Sequence, residues 1–589
     1  MSGQLQENIA GRRLGALVVD KDICPDKHGL SEGATDIGWV MRSLPNKRGG
    51  MVSSAILSLG ALLFWSMPGR AQSLPPVPIV KVVPTVPQQL DLQTKYEGES
   101  SSFVGNEQAS TLLQFDTDKL KAGGCGEMPN VQTDLRPNLA ESWSVDPAGK
   151  FVEFKLRKGV KSAFGNELTA QDVKWSVDRG LKQSSVMRFL AFDMNSYQED
   201  PVAIVDPYTI RIKLKRQSIF DLVIFHWSQF QIYDSKEALK HATADDPLAT
   251  AWLAKNTADF GPWVITSQNF VPGSRVVLTP NPNFWDAAHR GNGNSLVVLG
   301  VPESATRSQL LRSGEVDFAA LLPFEEYTKL RSGGTVDVVN CVSAARDTLL
   351  LSYKDKRLAN PLVRRAISLA IDRKAIADGV FKGFAKPAMT GIHVDYGIEG
   401  LEPYITYDLP KAKQLMAEAG YADGFAIKLT VSPTRPGSHA EQEAVFIADM
   451  LRQIGIKAEI QLIASGSTFA ERFFKGEYEA MLYLELPAFA DPFYSLNLMN
   501  HGNSFQNSFN YSNARYDELV TEGLHLKAED KQRRHEILVE LSKIMAQDPP
   551  QVYLLDTGIP LARSKKVSGW EFQLHNGGNI TAYKLKKQP

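Results

Sequence analysis

Between residues 408 and 485 the chain runs helix, glycine, strand three times in succession, and this restricts what it can fold into more than any other feature. Asp408 and Pro410 open a helix through Lys413, Leu415, Met416 and Ala419 that closes at Gly420, and the strand IKLTVS follows. HAEQEAVFIADMLRQI has apolar residues at helical spacing, stops at Gly455 and gives way to the alternating strand IKAEIQLI. STFAERFF stops near Gly476 before the strand AMLYLEL. Each helix has one apolar stripe to bury and each strand a face to cover, so the pattern predicts a sheet flanked by helices. Self-similarity at a period of about 20–50 residues is missing, which argues against a solenoid.

The rest of the chain extends this α/β reading. FVEFKL at 151–156 and TIRIKLK at 209–215 alternate with period two and are expected as antiparallel strands with one buried face each. LTAQDVKWSVDRGL carries a helix start, with Thr169 as cap and Asp172 three residues on, and Gly180 as its expected stop. Asn360-Pro361 opens a further helix through RRAISLAIDRKAI, because proline at the first helical position loses no internal hydrogen bond. The proline-rich SLPPVPIVKVVPTVPQQLD is expected to be extended and to enter a sheet at its edge. At 589 residues and 43% hydrophobic, the chain can bury two or three cores.

With Lys+Arg 65 against Asp+Glu 66, the net charge of -1 offers no platform for nucleic acid. Cys24, Cys125 and Cys341 lack the close spacing of a metal cluster, and no metal site is expected. The longest apolar run, Met51 to Met67, follows the basic pair Lys47 and Arg48 and precedes Gly69 and Ala71. It is shorter than the about 20 residues of a membrane anchor and reads as a signal peptide, residues 41–71, cleaved after Ala71 so that Gln72 becomes the N terminus. Met41 is the expected start, and residues 1–40 are expected to be a non-native or disordered extension. No Cys follows the cut, so a lipid anchor is not indicated. Export leaves Cys125 and Cys341, which could pair in an oxidising compartment.

Catalytic motifs are missing: no GxSxG, GxxxxGK[ST], HExxH or CxxC occurs. His226, beside Trp227, reads as a satisfied, partly buried histidine, and GNGN at 291–294 as a surface turn. Glu325-Glu326 and Glu529-Asp530 are sequence neighbours that do not face each other as an acid–base pair must. Aromatic residues in polar, turn-rich stretches do stand out, namely Tyr96, Trp263, Phe284, Trp285, Tyr483, Phe489, Phe493 and Tyr494. Rings with a few polar groups suit a concave site for a small molecule.

Taken in order, LRPNLAESWSVDPAGKFVEFKLRKGV, NELTAQDVKWSVDR, ADFGPWVI, RVVLTPNPNFW, LRSGEVDF, NPLVRRAISLAIDRKAI, YDLPKAKQLMAEAGY, MLRQIGIKAEIQLI and NARYDELV resemble the family 5 extracellular solute-binding proteins, which include dipeptide, oligopeptide and nickel binders. The resemblance implies a two-lobed periplasmic binding protein of type II, in the large class with an additional subdomain, and with ligand between the lobes. It implies a first lobe from 72–130, 256–344 and 553–589, a small subdomain of that lobe at 131–255, and a second lobe at 345–552. It also implies a monomer that needs no cofactor, binds a small organic solute and serves the permease subunits of an ABC importer, with a sensor or chaperone role, or a periplasmic hydrolase, as rivals.

In dipeptide-binding relatives an arginine in an Arg-Pro-Tyr run takes the ligand carboxylate, and SPTRPGS puts Arg435 there, with Gly437 in place of the tyrosine. The aspartate that holds the ligand amine three residues before an Asp-Pro pair is replaced by Ala488, ahead of Asp491-Pro492. Glu485 is the residue that could take over that role. Tyr96, Glu97, Tyr483, Phe489 and Asp491 complete the expected ligand contacts.

Overall fold

The computed structural model describes residues 78–588, apart from 96–98, 117–124, 126–128, 287–294, 528, 571, 574–578 and 581. The signal peptide, Tyr96, Glu97 and the GNGN turn therefore lie outside the described residues.

The three αβ units form as the spacing predicts. Leu409–Glu418 is a helix whose cap, Asp408, accepts from the Lys411 backbone N–H, and Ala440–Arg452 and Gly466–Lys475 are the next two. The strands Phe425–Val431, Ile456–Leu462 and Ala480–Glu485 run parallel, with Phe425–Val431 in the middle. Gly424 and Gly455 are both in the left-handed region, at φ +70° and +81°, and a Cβ on Gly424 would lie 1.8 Å from the Gly455 carbonyl oxygen. Glycine here lets two adjacent loops cross.

These parallel strands form one end of a twelve-stranded sheet. Next to Ala480–Glu485 lies the sixteen-residue strand Val336–Leu351, then the thirteen-residue strand Val552–Ser564, both antiparallel. Beyond them come Phe318–Ala319, Ile79–Val83, Leu296–Gly300, Arg275–Pro280 and Trp263–Val264. The two long strands pair from Val336↔Ser564 to Leu349↔Val552, and their register slips between Cys341 and Ala345 and again between Asp347 and Thr348. Cys341, at the first slip, is disulfide-bonded to Cys125, with Cα atoms 5.0 Å apart. A separate antiparallel sheet, Ala140–Val145, Phe151–Leu156, Thr209–Leu214 and Tyr197–Asp206, carries the two alternating strands, each with one buried face.

Three expectations need correction. Ile79–Val83 is an interior strand, parallel to Leu296–Gly300 on one side and Phe318–Ala319 on the other, and not an edge. The prolines flank the run IVKVV, so every ladder N–H within it is available. Helix Ala170–Gln183 starts at Thr169 and Asp172 but runs past Gly180, where a Cβ would meet Met187 Sδ at 2.3 Å. Gly180 therefore serves close packing and not helix termination. RRAISLAIDRKAI makes two helices, Pro361–Ala370 and Arg373–Gly379, because Asp372 caps the second by accepting from the Ala375 N–H.

His226 is a partly buried histidine. Its ring meets Phe115 edge-on at 4.6 Å, and burial pushes its pKa down to about 4 against a hydrogen bond to the Leu113 backbone. The folded site refuses a proton that the unfolded chain accepts near the ordinary histidine value. Below about pH 6.5, wild-type protein should therefore lose stability relative to His226→Phe, progressively toward pH 4. Urea unfolding of both proteins at several pH values measures this, and a pH-independent difference would exclude it.

Candidate functional site

Arg346 is the centre of a buried polar site. It lies on the long strand Val336–Leu351, directly opposite Glu485 on one neighbouring strand and Asp556 on the other. Arg346 Nε donates to Asp556 Oδ1 at 2.7 Å, Nη2 lies 2.6 Å from the same oxygen, and the guanidinium sits 5.0 Å from the Tyr553 ring centre. All three charged residues are buried, at 3% for Arg346, 7% for Glu485 and 3% for Asp556. His393 joins them: its Nε2–H donates to the Ala345 carbonyl at 2.9 Å, and its Nδ1 accepts from the Asp395 N–H. Burial lowers its pKa, which favours the neutral ring. Two carboxylates therefore face one guanidinium and a neutral imidazole.

Glu485 carries the imbalance. Its Oε1 has no hydrogen-bond partner, and burial raises its pKa, opposed first by a hydrogen bond from Ser495 and then by the positive charges of Arg346 and Arg435. The carboxyl opens on a small cavity of about 20 Å³, room for about one water. Arg346, His393, Tyr396, Asn500 and Tyr553 line it as well. Asn500 Nδ2 donates to the hydroxyls of Tyr516 and Tyr553, and its Oδ1 accepts from Gln551, so this wall is a fixed hydrogen-bonded network.

Tyr483 shares a strand face with Glu485, two residues before it. Its ring stacks on Phe473 at 4.5 Å, and the half-buried Arg435 guanidinium lies over it at 4.6 Å while Arg435 Nε donates to the Leu484 carbonyl. Arg435, Tyr483 and Glu485 are thus brought together. Phe489 is instead fully buried against Phe220, Trp227 and Tyr494, and Ala488 packs at the border of that aromatic cluster. Asp491 caps the short helix Pro492–Ser495 and pairs with Arg534, so both its oxygens are engaged. None of these last three lines the cavity. Trp263, Phe284, Phe493 and Tyr494 are core residues, and Trp285 lies under Arg157.

Sequence reasoning missed Arg346, His393, Tyr396, Asn500, Tyr553 and Asp556. One signal was present: Arg346-Asp347 interrupts an otherwise uncharged run, VVNCVSAARDTLLL, and charges inside a central strand need partners.

Residues 134–507 match the profile of the bacterial extracellular solute-binding proteins, family 5 Middle. The chain belongs to this family. The family 5 protein described here is 28% identical over 78% of its length to a probable D,D-dipeptide-binding periplasmic protein of Escherichia coli K12, covering 85% of that relative. It is 28% identical over 76% of its length to a glutathione-binding protein of Salmonella choleraesuis, covering 86% of it. Among solved structures it resembles a periplasmic binding protein of Helicobacter pylori in complex with the peptide STSA, with TM-score 0.72, 24% identity, and 87% and 98% of the two chains covered. A dipeptide-binding protein of Pseudoalteromonas in complex with Met-Leu gives TM-score 0.73 at 20% identity, with 87% and 100% covered. The fold is the two-lobed α/β type that the motifs predicted, and as a family 5 protein the chain is an extracellular solute-binding protein. Among the described residues, no helix of this family 5 protein is long and apolar enough to cross a membrane.

Proposed function

We propose that this chain is exported to the periplasm, loses its leader after Ala71, and captures a zwitterionic organic solute that it hands unaltered to a membrane permease. The solute is a peptide, an opine-like compound or another amino-acid conjugate. Glu485 takes its cationic group and Arg435 its carboxylate. The observation that carries this reading is the orphan Oε1 of buried Glu485, which lies opposite Arg346, a guanidinium already held by Asp556. A buried carboxylate oxygen left without a donor is costly, and a ligand ammonium supplies that donor. Arg435 holds its guanidinium 4.6 Å from the Tyr483 ring centre with Nε on the Leu484 carbonyl, which leaves its two Nη groups to pair with a carboxylate. Ala488, at the position where dipeptide-binding relatives hold the amine, fits a shift of that task to Glu485 on the preceding strand.

The test is calorimetric titration of protein recovered from a periplasmic extract, with Gln72 as its first residue, against peptides, glutathione and opines. Arg435→Ala should weaken binding of the best ligand at least tenfold, since a charged hydrogen bond contributes about 1.5–3 kcal/mol. Glu485→Gln should weaken binding of the free-amine ligand but not of its N-acetylated analogue. Unchanged affinity in both variants would refute the two assignments. Full-length protein confined to the cytosol would refute export, and conversion of the bound compound would refute its delivery unaltered.

A further inference from the structure

Asp347, His439 and Glu443 form a second buried polar cluster, and none of them lines the cavity beside Glu485. Asp347 follows Arg346 on the long strand, at the second register slip. His439 precedes the helix Ala440–Arg452, and Glu443 lies one turn into it. His439 Nε2 is 3.0 Å from Asp347 Oδ2 and 3.9 Å from Glu443 Oε2, and one ligand atom from each residue falls within 4.8 Å of the others. Both acids are 0% exposed, while the His439 side chain, at 15%, keeps a route to solvent.

The cluster has more acceptors than donors. Neither oxygen of Glu443 nor Oδ1 of Asp347 has a hydrogen-bond partner, and one imidazole N–H faces four carboxylate oxygens. Burying two carboxylates side by side with a single donor is costly. Burial, and then the neighbouring Asp347, hold the Glu443 carboxyl well above the usual range. A divalent ion resolves the same conflict by giving every inward oxygen a positive partner. Imidazole with two carboxylates suits Zn²⁺ and its neighbours, and bonds of about 2.0–2.2 Å place adjacent ligand atoms roughly 3–3.5 Å apart; the His439–Asp347 separation of 3.0 Å is on that scale, and the 3.9 Å to Glu443 closes by a small movement of its side chain. The His439 ring packs against Phe381 at 4.7 Å and Phe324 at 5.2 Å, an apolar shell that orients it and limits water.

We propose that Asp347, His439 and Glu443 bind a divalent transition ion, with Zn²⁺ preferred, that ties the long strand to the start of the helix. The inference is independent of which solute the protein carries. Untagged full-length mature protein, stripped with a chelator, is titrated with Zn²⁺ and separately with Co²⁺. The expected results are one bound equivalent, a higher thermal midpoint with Zn²⁺, and the strong visible absorption of four- or five-coordinate Co²⁺. Glu443→Gln and His439→Ala should each weaken binding at least tenfold. A wild-type protein that takes up no ion, a midpoint indifferent to chelator and Zn²⁺, or only the weak spectrum of octahedral Co²⁺ would overturn the proposal. Folded variants that bind as the wild type does would overturn it too. The Co²⁺ spectrum depends on no variant, so the test stands even if both substitutions fail to fold.

Discussion

Arg179→Met should lower the unfolding free energy by about 3–5 kcal/mol, the usual cost of stranding one member of a buried ion pair. Arg179 and Asp91 both have side chains at 0% exposure, and the guanidinium engages both Asp91 oxygens as well as Gln93 Oε1. Tyr233 donates to Asp91 Oδ1 at 2.9 Å, and its ring and that of Trp175 flank the guanidinium at 5.3 and 5.7 Å. Methionine fills comparable volume, so the loss would come from the abandoned carboxylate and not from a void. Adding Asp91→Asn should restore a large part of the loss, because the stranded charge is then gone. Guanidinium chloride unfolding of the two single variants and the double variant measures this, and a loss under about 1 kcal/mol for Arg179→Met would contradict the assignment.

Reducing the Cys125–Cys341 bridge should cost about 2–5 kcal/mol, in the upper part of that range if chain entropy dominates, because the closed loop is long. The sequence separation is 216 residues. The bond holds Cys341 at 1% exposure, at the first register slip of the long strands. Cys125→Ser/Cys341→Ser should therefore unfold at a distinctly lower temperature than the oxidised protein, and reductant should lower the midpoint of the wild type but not of the double variant. Equal midpoints with and without reductant would show that the bridge adds nothing to stability.

The chain was most readable where local chemistry decides the outcome. Asp408, Asn360 and Thr169 each announce a helix start, and Gly455 and Gly476 each end a unit with positive φ. It was least readable where distant strands meet. Ile79–Val83 looked peripheral because prolines surround it, although its interior position depends on partners more than two hundred residues away. The polar site follows the same logic: Arg346, Glu485 and Asp556 become neighbours only through the register of three antiparallel strands, which no spacing rule reports. Glu485 was found because the resemblance directed attention to its segment, and Arg346 was missed because nothing did. The Asp347–His439 contact spans 92 positions, and a search limited to closely spaced ligands passes over it.

The two long strands are bonded to each other along most of their length, so they behave as a strap and not as two separate threads. A strap resists being wrung, and the place where this ladder skips several residues, Cys341 to Ala345, is also where the cross-link from Cys125 is tied in.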